Sequence, residues 1–449
     1  MSRQRTHAGG KQLVIFTVLI LVVAVGAVVF SVRGLWMDKS VPPSGGGQTG
    51  QPGQTGQEGP TTPTEEETDT ARTELLAQAD KLSASYFYDE ALQLLREKPE
   101  LSDDSVAAKI DEIQKLKDSL VKYEGEIHHV FFHSLIVYPE LAFDNKGHPA
   151  EGYNMWMTTV YEFQRMLPQF LERGYVLYDI EETAEYNEAE GKWQRKDIYL
   201  PEGKKPLIIS QDDVNYYDYM KPDGFANRLV IADDGRVATE VITPEGQTIV
   251  TRDGDVLPIL DDFVEAHPEF SYRGAKGILA VTGYQGAFGY RTTDPDLYTA
   301  EEDAQFHEEA KRVADAVKAS GWKLASHSYT HNGYFRELTV TMDQMKYDTD
   351  RWRRDIGITT GDTQIYISPF GYRMENDDPR YRYLVEQGKF HLFCFVGSGQ
   401  TIYYHEDNVI MPRFNLDGFQ MNKHPEYIEK YYFNVAEVYD PARPPLNLP

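Results

Sequence analysis

Gly321-Trp322-Lys323-Leu324-Ala325-Ser326-His327-Ser328-Tyr329-Thr330-His331 runs from a short apolar segment into two histidines four residues apart. Trp322 to Ala325 reads as a buried strand. At a four-residue spacing, in the first turn of a helix, both imidazoles face the same way and can grip one metal ion. A mononuclear hydrolytic site also needs a carboxylate ligand, a base and an open coordination position. The best source of carboxylates lies upstream, in Lys205-Pro206-Leu207-Ile208-Ile209-Ser210-Gln211-Asp212-Asp213, where a second apolar strand runs straight into adjacent aspartates. Two strands that each end in metal-competent side chains point to a metal site more strongly than either one alone.

Working outward, strands and helices alternate over about 300 residues. Strands are expected at 130–137, 175–178, 207–210, 277–281, 364–367, 390–396 and 409–414, and helices at 158–174, 258–266, 301–320, 341–356 and 378–388. Between 221 and 256 hairpin-like pieces interrupt, separated by Asp234-Gly235 and Glu245-Gly246 turns. This alternation predicts an α/β fold with a parallel sheet or barrel, whose chemistry collects at the C-terminal ends of the strands. Asp212, Asp213 and His327 fall at such ends.

The flanks differ in composition. Residues 1–12 are polar and basic and are read as a cytoplasmic tail. Residues 13–36 contain an uncharged apolar run from Leu13 to Val32, about the 20 residues needed to cross a bilayer, so a single-pass membrane anchor is expected with everything after it outside. A Pro/Gly/Gln/Thr-rich tether follows at 37–70. Residues 71–123 change to helical periodicity, with Tyr86-Phe87-Tyr88-Asp89-Glu90-Ala91-Leu92 similar to part of a tetratricopeptide unit. One unit makes no solenoid, so a helical neck is expected, with room for a protein partner. The catalytic domain then spans 124–449.

Charge and cysteine usage narrow the function. With 45 basic and 71 acidic residues the formal net charge is −26, which disfavours a nucleic-acid partner because little would neutralise phosphates. The single cysteine, Cys394, excludes an intrachain disulfide and sits in an apolar run, as a buried inert thiol would. The 30 tyrosines suit either a carbohydrate-binding surface or a β-rich core.

In combination the motifs resemble those of the polysaccharide deacetylases of the NodB-homology type (carbohydrate esterase family 4). Lys205 to Asp213 is similar to the family's first motif, Ser326 to His331 to its histidine-serine/threonine-x-x-histidine motif, and Ser368-Pro369-Phe370-Gly371 to the end of its third. Phe132-His133-Ser134 resembles the opening strand of many members. The resemblance implies a distorted (β/α) barrel. It also implies a divalent ion, most simply Zn²⁺, held by Asp213, His327 and His331, with Asp212 as general base and the Phe370 N–H helping to hold an oxyanion. Pro369 and Tyr329, within these motifs, are expected to border the substrate. The implied activity is removal of N-acetyl groups from an envelope or exported glycan. A non-catalytic glycan-binding protein on the same barrel and an O-acetyl esterase are the alternatives.

Three positions depart from the family pattern. Val214 stands where a glycine follows the aspartates, a poor choice for a positive φ. Ile367 stands where the third motif carries an arginine that orients the base; Arg413 is the candidate substitute, an ordinary surface arginine the alternative. No leucine-x-histidine motif supplies a general acid, which leaves His424 and His405 as candidates by default. His133 reads as a core histidine bonded to backbone.

Overall fold

In the computed structural model, residues 64–446 are described, except 294 and 398. The expected tail, the expected anchor and nearly all of the tether lie outside the described residues. Among those that are described, no helix is long and apolar enough to cross a membrane.

Seven parallel strands close into a barrel in chain order: His128–Phe132, Lys205–Gln211, Ile278–Val281, Lys323–Ser326, Ile365–Ile367, Leu392–Val396 and Val409–Asn415, the last pairing back onto the first. Tyr175–Leu177 adds a short strand beside the start of Lys205–Gln211, whose later residues pair instead with Ile278–Val281, so the barrel is uneven at its base. The strands are nearly continuous apolar runs because both faces are covered. Their period-two alternation sends Leu207, Ile209, Leu279 and Val281 outward against the helices. Ile208, Ile278, Ala280, Ala325, Ile365, Ile367 and Cys394 belong to the inner cluster. At the C-terminal ends the inward positions turn polar, and there the site forms.

Several boundaries move from those expected. The first strand stops at Phe132 rather than running to 137, because the chain turns toward Thr159, which pairs with Ile136. The helix over Val160–Glu172 begins behind a Thr159–Glu162 capping box. The helix expected over 341–356 is α-helical only over Met342–Arg351 and then widens into a π-turn at Trp352–Ile356. Residues 226–251 form a three-stranded antiparallel sheet.

The first described helix, Glu65–Ala84, starts inside the stretch read as tether. Three glutamates in its first turn and a Thr64–Glu67 capping box stabilise a start that has little apolar content to announce it. With Tyr88–Arg96 and Asp104–Asp118 it forms a three-helix unit whose Leu75, Ala79, Leu92, Leu95, Val106 and Ile113 are continuous with the barrel's inner cluster. Tyr86 Oη donates to the Glu269 carbonyl at 2.7 Å and its ring lies 5.2 Å from that of Tyr272. The unit is therefore packed against the barrel.

Candidate metal centre

The strand Lys205–Gln211 delivers Asp212 and Asp213 to the C-terminal mouth. Asp213 itself takes the left-handed conformation (φ +58°). Val214, where glycine was expected, is fully buried, its N–H donating to the Ala280 carbonyl and its carbonyl accepting from Phe288 N–H. The strained position has thus moved onto an aspartate, a residue type that tolerates it, and a β-branched residue fits the next position without conflict.

His327 follows the strand Lys323–Ser326, but His327 to His331 is not helical as expected. It is a loop with Ser328 (φ +66°) and His331 (φ +42°) both left-handed. Its shape is held by Asp348, a buried carboxylate that accepts the Tyr329 N–H and Thr330 N–H at 2.8 Å each and the Thr330 hydroxyl at 2.7 Å. Ser328 Oγ accepts the His331 N–H. A second buried carboxylate, Asp255, works behind the aspartates. It accepts from Gln211, Tyr216 and the Leu135 N–H, and caps the helix Val256–Ala266.

The two loops bring Asp213, His327 and His331 together, one ligand atom from each within 4.8 Å of the others. Asp213 Oδ1 is 3.7 Å from His331 Nε2 and 4.0 Å from His327 Nε2. Together they would hold a cation through one oxygen and two nitrogens. The donor set suits Zn²⁺ or a similar ion. His327 Nδ1 lies 2.9 Å from the Ile367 carbonyl, so its N–H donates there and Nε2 is left free for a metal. The backbone of Ile367 thus serves the site where its side chain cannot. Tyr217 and Thr282 hydroxyls donate to Asp213 Oδ1 at 2.8 and 3.2 Å.

Asp212 is not short of a partner. Arg413, 1% exposed rather than at the surface, grips it through both nitrogens, Nη1–Oδ1 at 2.7 Å and Nη2–Oδ2 at 2.9 Å. Burial on its own would raise the Asp212 pKa; the Arg413 charge, then His327, outweighs it and holds the carboxyl below the usual carboxylate range. Asp213 is lowered further, burial being outweighed by His331 and His327. Arg413 also reaches Ser210 Oγ, which bonds His129 Nε2 at 2.9 Å; burial, then the Arg413 charge, keeps His129 well below its ordinary range and so neutral.

The default acid candidates are absent from the site. His424 is an exposed residue between two short helices, and His405 precedes the start of the strand Val409–Asn415, at the opposite end of the barrel. His133 comes instead. It follows the strand His128–Phe132, interacts electrostatically with Asp212, Asp213 and His331, and hydrogen-bonds through Nδ1 to the Trp156 carbonyl at 3.1 Å. The expected backbone bond exists, and Nε2 remains available. Asp417, buried beside it, accepts from Asn415 and the Gln420 N–H, and burial raises its pKa to about 7. Asp417 belongs to no motif; His133 carried two signals, its place at a strand end and the likeness of Phe132-His133-Ser134 to an opening strand. Phe370 (φ +56°) packs its ring 4.3 Å from that of His331. Pro369 and Tyr329, expected to border substrate, are buried, and Tyr329 lies beneath Gly283 and against Arg351. Tyr329 is part of the apolar core. A cavity of about 1180 Å³ lies at the barrel's other mouth, lined by residues such as Tyr272, Lys323 and Arg353, and includes none of the site residues.

Barrel and site together define the class: a parallel barrel with an Asp-His-His cation site and a buried, arginine-bound carboxylate at its C-terminal mouth. No family model and no curated protein matches the chain by sequence. Among solved structures, it is similar to Streptococcus pyogenes deacetylase PplD in complex with acetate (13% identity, 70% of this chain and 99% of that chain, TM-score 0.35). It is also similar to a de-N-acetylase from Aggregatibacter actinomycetemcomitans (12%, 68% and 100%, TM-score 0.38). A third is the BpsB deacetylase domain from Bordetella bronchiseptica (11%, 66% and 98%, TM-score 0.32). Residue roles follow from the site's geometry, not from these likenesses.

Proposed function

We propose that this protein is a metal-dependent deacetylase that removes N-acetyl groups from an envelope or exported polysaccharide, tethered by residues 13–36 to the outer side of a cell membrane. The observation that carries the reading is the meeting of Asp213, His327 and His331 beside an Arg413-bound Asp212. An ion held by those three would activate a water and polarise the acyl oxygen. Asp212, kept ionised by Arg413, would take the water proton. The Phe370 N–H would donate to the oxyanion. His133, oriented by the Trp156 carbonyl, would return a proton to the leaving nitrogen. The products are acetate and a free amine. Arg413 and His133 supply the two parts whose absence favours a binding-only protein.

Protein stripped of metal should release no acetate from N-acetylated glycans and should regain activity with Zn²⁺. Asp212→Asn should lose about 10²–10⁴ in turnover while retaining one ion per chain, and His331→Ala should lose the ion. Acetate from O-acetylated glycans alone would favour the esterase. No metal-dependent acetate from any N- or O-acetylated glycan would sink the reading.

A further inference from the structure

The cavity of about 1180 Å³ lies at the base of the barrel, at the mouth opposite the metal centre. Its volume suits a molecule rather than a single ion. Tyr178 and Tyr272 form one part of its wall, with ring centroids 5.2 Å apart and planes 27° apart. The carboxylates that follow Tyr178 in the chain are already paired, Asp179 and Glu181 with Lys323 and Glu182 with Lys196.

Another part of the wall gathers cations on the two loops that lead into the strands Ile365–Ile367 and Leu392–Val396. Lys318 Nζ donates to the Thr360 carbonyl at 3.1 Å and lies 3.2 Å from Asp315. Arg353 Nη2 donates to the Thr363 carbonyl at 3.0 Å and to the Gly388 carbonyl. Lys389 follows Gly388, is exposed, and has no carboxylate within ion-pair reach among the described residues. Asp362 is the one acid in this part of the lining. Lys318, Arg353 and Lys389 set against Asp362 and Asp315 leave a net positive charge.

Arg353 is the telling member. The buried arginines Arg291, Arg413 and Arg443 each hydrogen-bond a carboxylate, on Asp218, Asp212 and Glu162. The Arg353 side chain is 20% exposed, yet Asp362, itself fully exposed, comes no nearer than 3.8 Å. Its guanidinium lies over the Phe390 ring at 4.2 Å, and its buried Nε has no hydrogen-bond partner. Burial lowers its pKa and Asp362 offsets only part of the effect. A largely buried charge with no counter-ion is costly. Arg353 also stands in the π-turn Trp352–Ile356, a helix irregularity that is frequent at functional sites.

We propose that the base cavity binds a molecule with an oxyanion head, a phosphate or a carboxylate, held by Arg353 between Lys318 and Lys389. Its body lies against Tyr178 and Tyr272. The head accepts from Arg353 Nε and Nη1, the donors that no carbonyl takes, in charge-assisted hydrogen bonds. None of these residues belongs to the metal centre, so the site stands independently of the hydrolytic reading.

Calorimetry on the full chain, stripped of metal so that no ion competes for the anion, tests this with phenyl phosphate, phthalate and inorganic phosphate. Phenyl phosphate or phthalate should bind at one saturable site, and the tighter of the two names the oxyanion. Phenyl phosphate should bind more tightly than inorganic phosphate of the same charge, because only it reaches the aromatic wall. Arg353→Gln should weaken binding about 10-fold or more. Lys389→Gln, at an exposed position, should weaken it by about 2- to 5-fold, and Asp362→Asn should tighten it by a similar factor. His331→Ala, at the other mouth, should bind as the wild type does. An Arg353 that only staples the two loops predicts lower stability in Arg353→Gln with no anion bound by the wild type. That result would overturn the proposal, as would binding that ignores Arg353, Lys389 and Asp362 or that is lost in His331→Ala. Inorganic phosphate binding as tightly as phenyl phosphate would overturn the assignment of a larger ligand.

Discussion

At the scale of single residues the decisive pair is Asp212 with Arg413. Neither side chain reaches solvent to any extent, so the ion pair is neutralised only from within, and removing one partner leaves a bare buried charge. Arg413→Met should therefore destabilise the protein by about 3–5 kcal/mol, read by denaturant unfolding. It should also raise the Asp212 pKa, because the largest charge opposing burial is then gone and only the nearby histidines still oppose it. The carboxylate is the active form, so the acid limb of the kcat/KM profile should move to higher pH; an unmoved limb would show that Asp212 is not the base. Asp417 offers the opposite sign. Its pKa is raised to about 7 in the folded state, against about 3.9 in an unfolded chain. Below about pH 4 both states hold the proton and nothing is gained or lost. Between about 4 and 7 only the unfolded chain ionises, so stability declines with rising pH, by up to roughly 4 kcal/mol. Asp417→Asn, with the neighbouring Asn415 oxygen unpartnered and able to accept, should flatten that decline in unfolding curves taken across the window.

At the scale of elements, two loops carry the chemistry and two buried carboxylates shape them. Asp348 takes two backbone N–H groups and one hydroxyl from the residues between the histidines. Asp348→Ala should strand those donors and cost about 1–3 kcal/mol. It should also weaken the metal by about 10–100-fold in chelator competition, the usual penalty for losing support around ligands; unchanged affinity would mean the loop keeps its form unaided. Gly283 tests the same loop from the other side. A Cβ there would fall 2.1 Å from the Tyr329 ring, so Gly283→Ala should displace Tyr329 and lower metal affinity in the same assay. These dependencies explain why the loop was misread as a helical turn. The four-residue spacing is compatible with a helix, but Asp348 competes for the very N–H groups a first turn leaves free, and it is 17 residues further along the chain than His331.

At the scale of the whole molecule, the helices over 65–118 share an apolar core with the base of the barrel, at the end away from the metal. Leu92 is 2% exposed there, and Leu92→Ala should cost about 2–5 kcal/mol with metal content and turnover per folded molecule unchanged; a loss of metal would show that base and mouth are coupled. Much was legible in advance because it is local. Apolar runs alternating with amphipathic helices dictate a parallel sheet or barrel, strand ends carrying Asp212-Asp213 and His327 mark the end where the site forms, and the His-x-x-x-His spacing picks out two candidate ligands. What stayed hidden depends on separations of tens to hundreds of residues. Arg413 is a candidate partner that also reads as an ordinary surface arginine until closure of the barrel places its strand next but one to that of Asp212. His133 looks like a backbone-bonded histidine until the first strand is paired between Lys205–Gln211 and Val409–Asn415. Pattern and spacing along the chain determine which elements form and which side chains can bind a cation. Only the closed sheet decides which distant charge faces which, because a salt bridge depends on distance in space and not on distance in sequence.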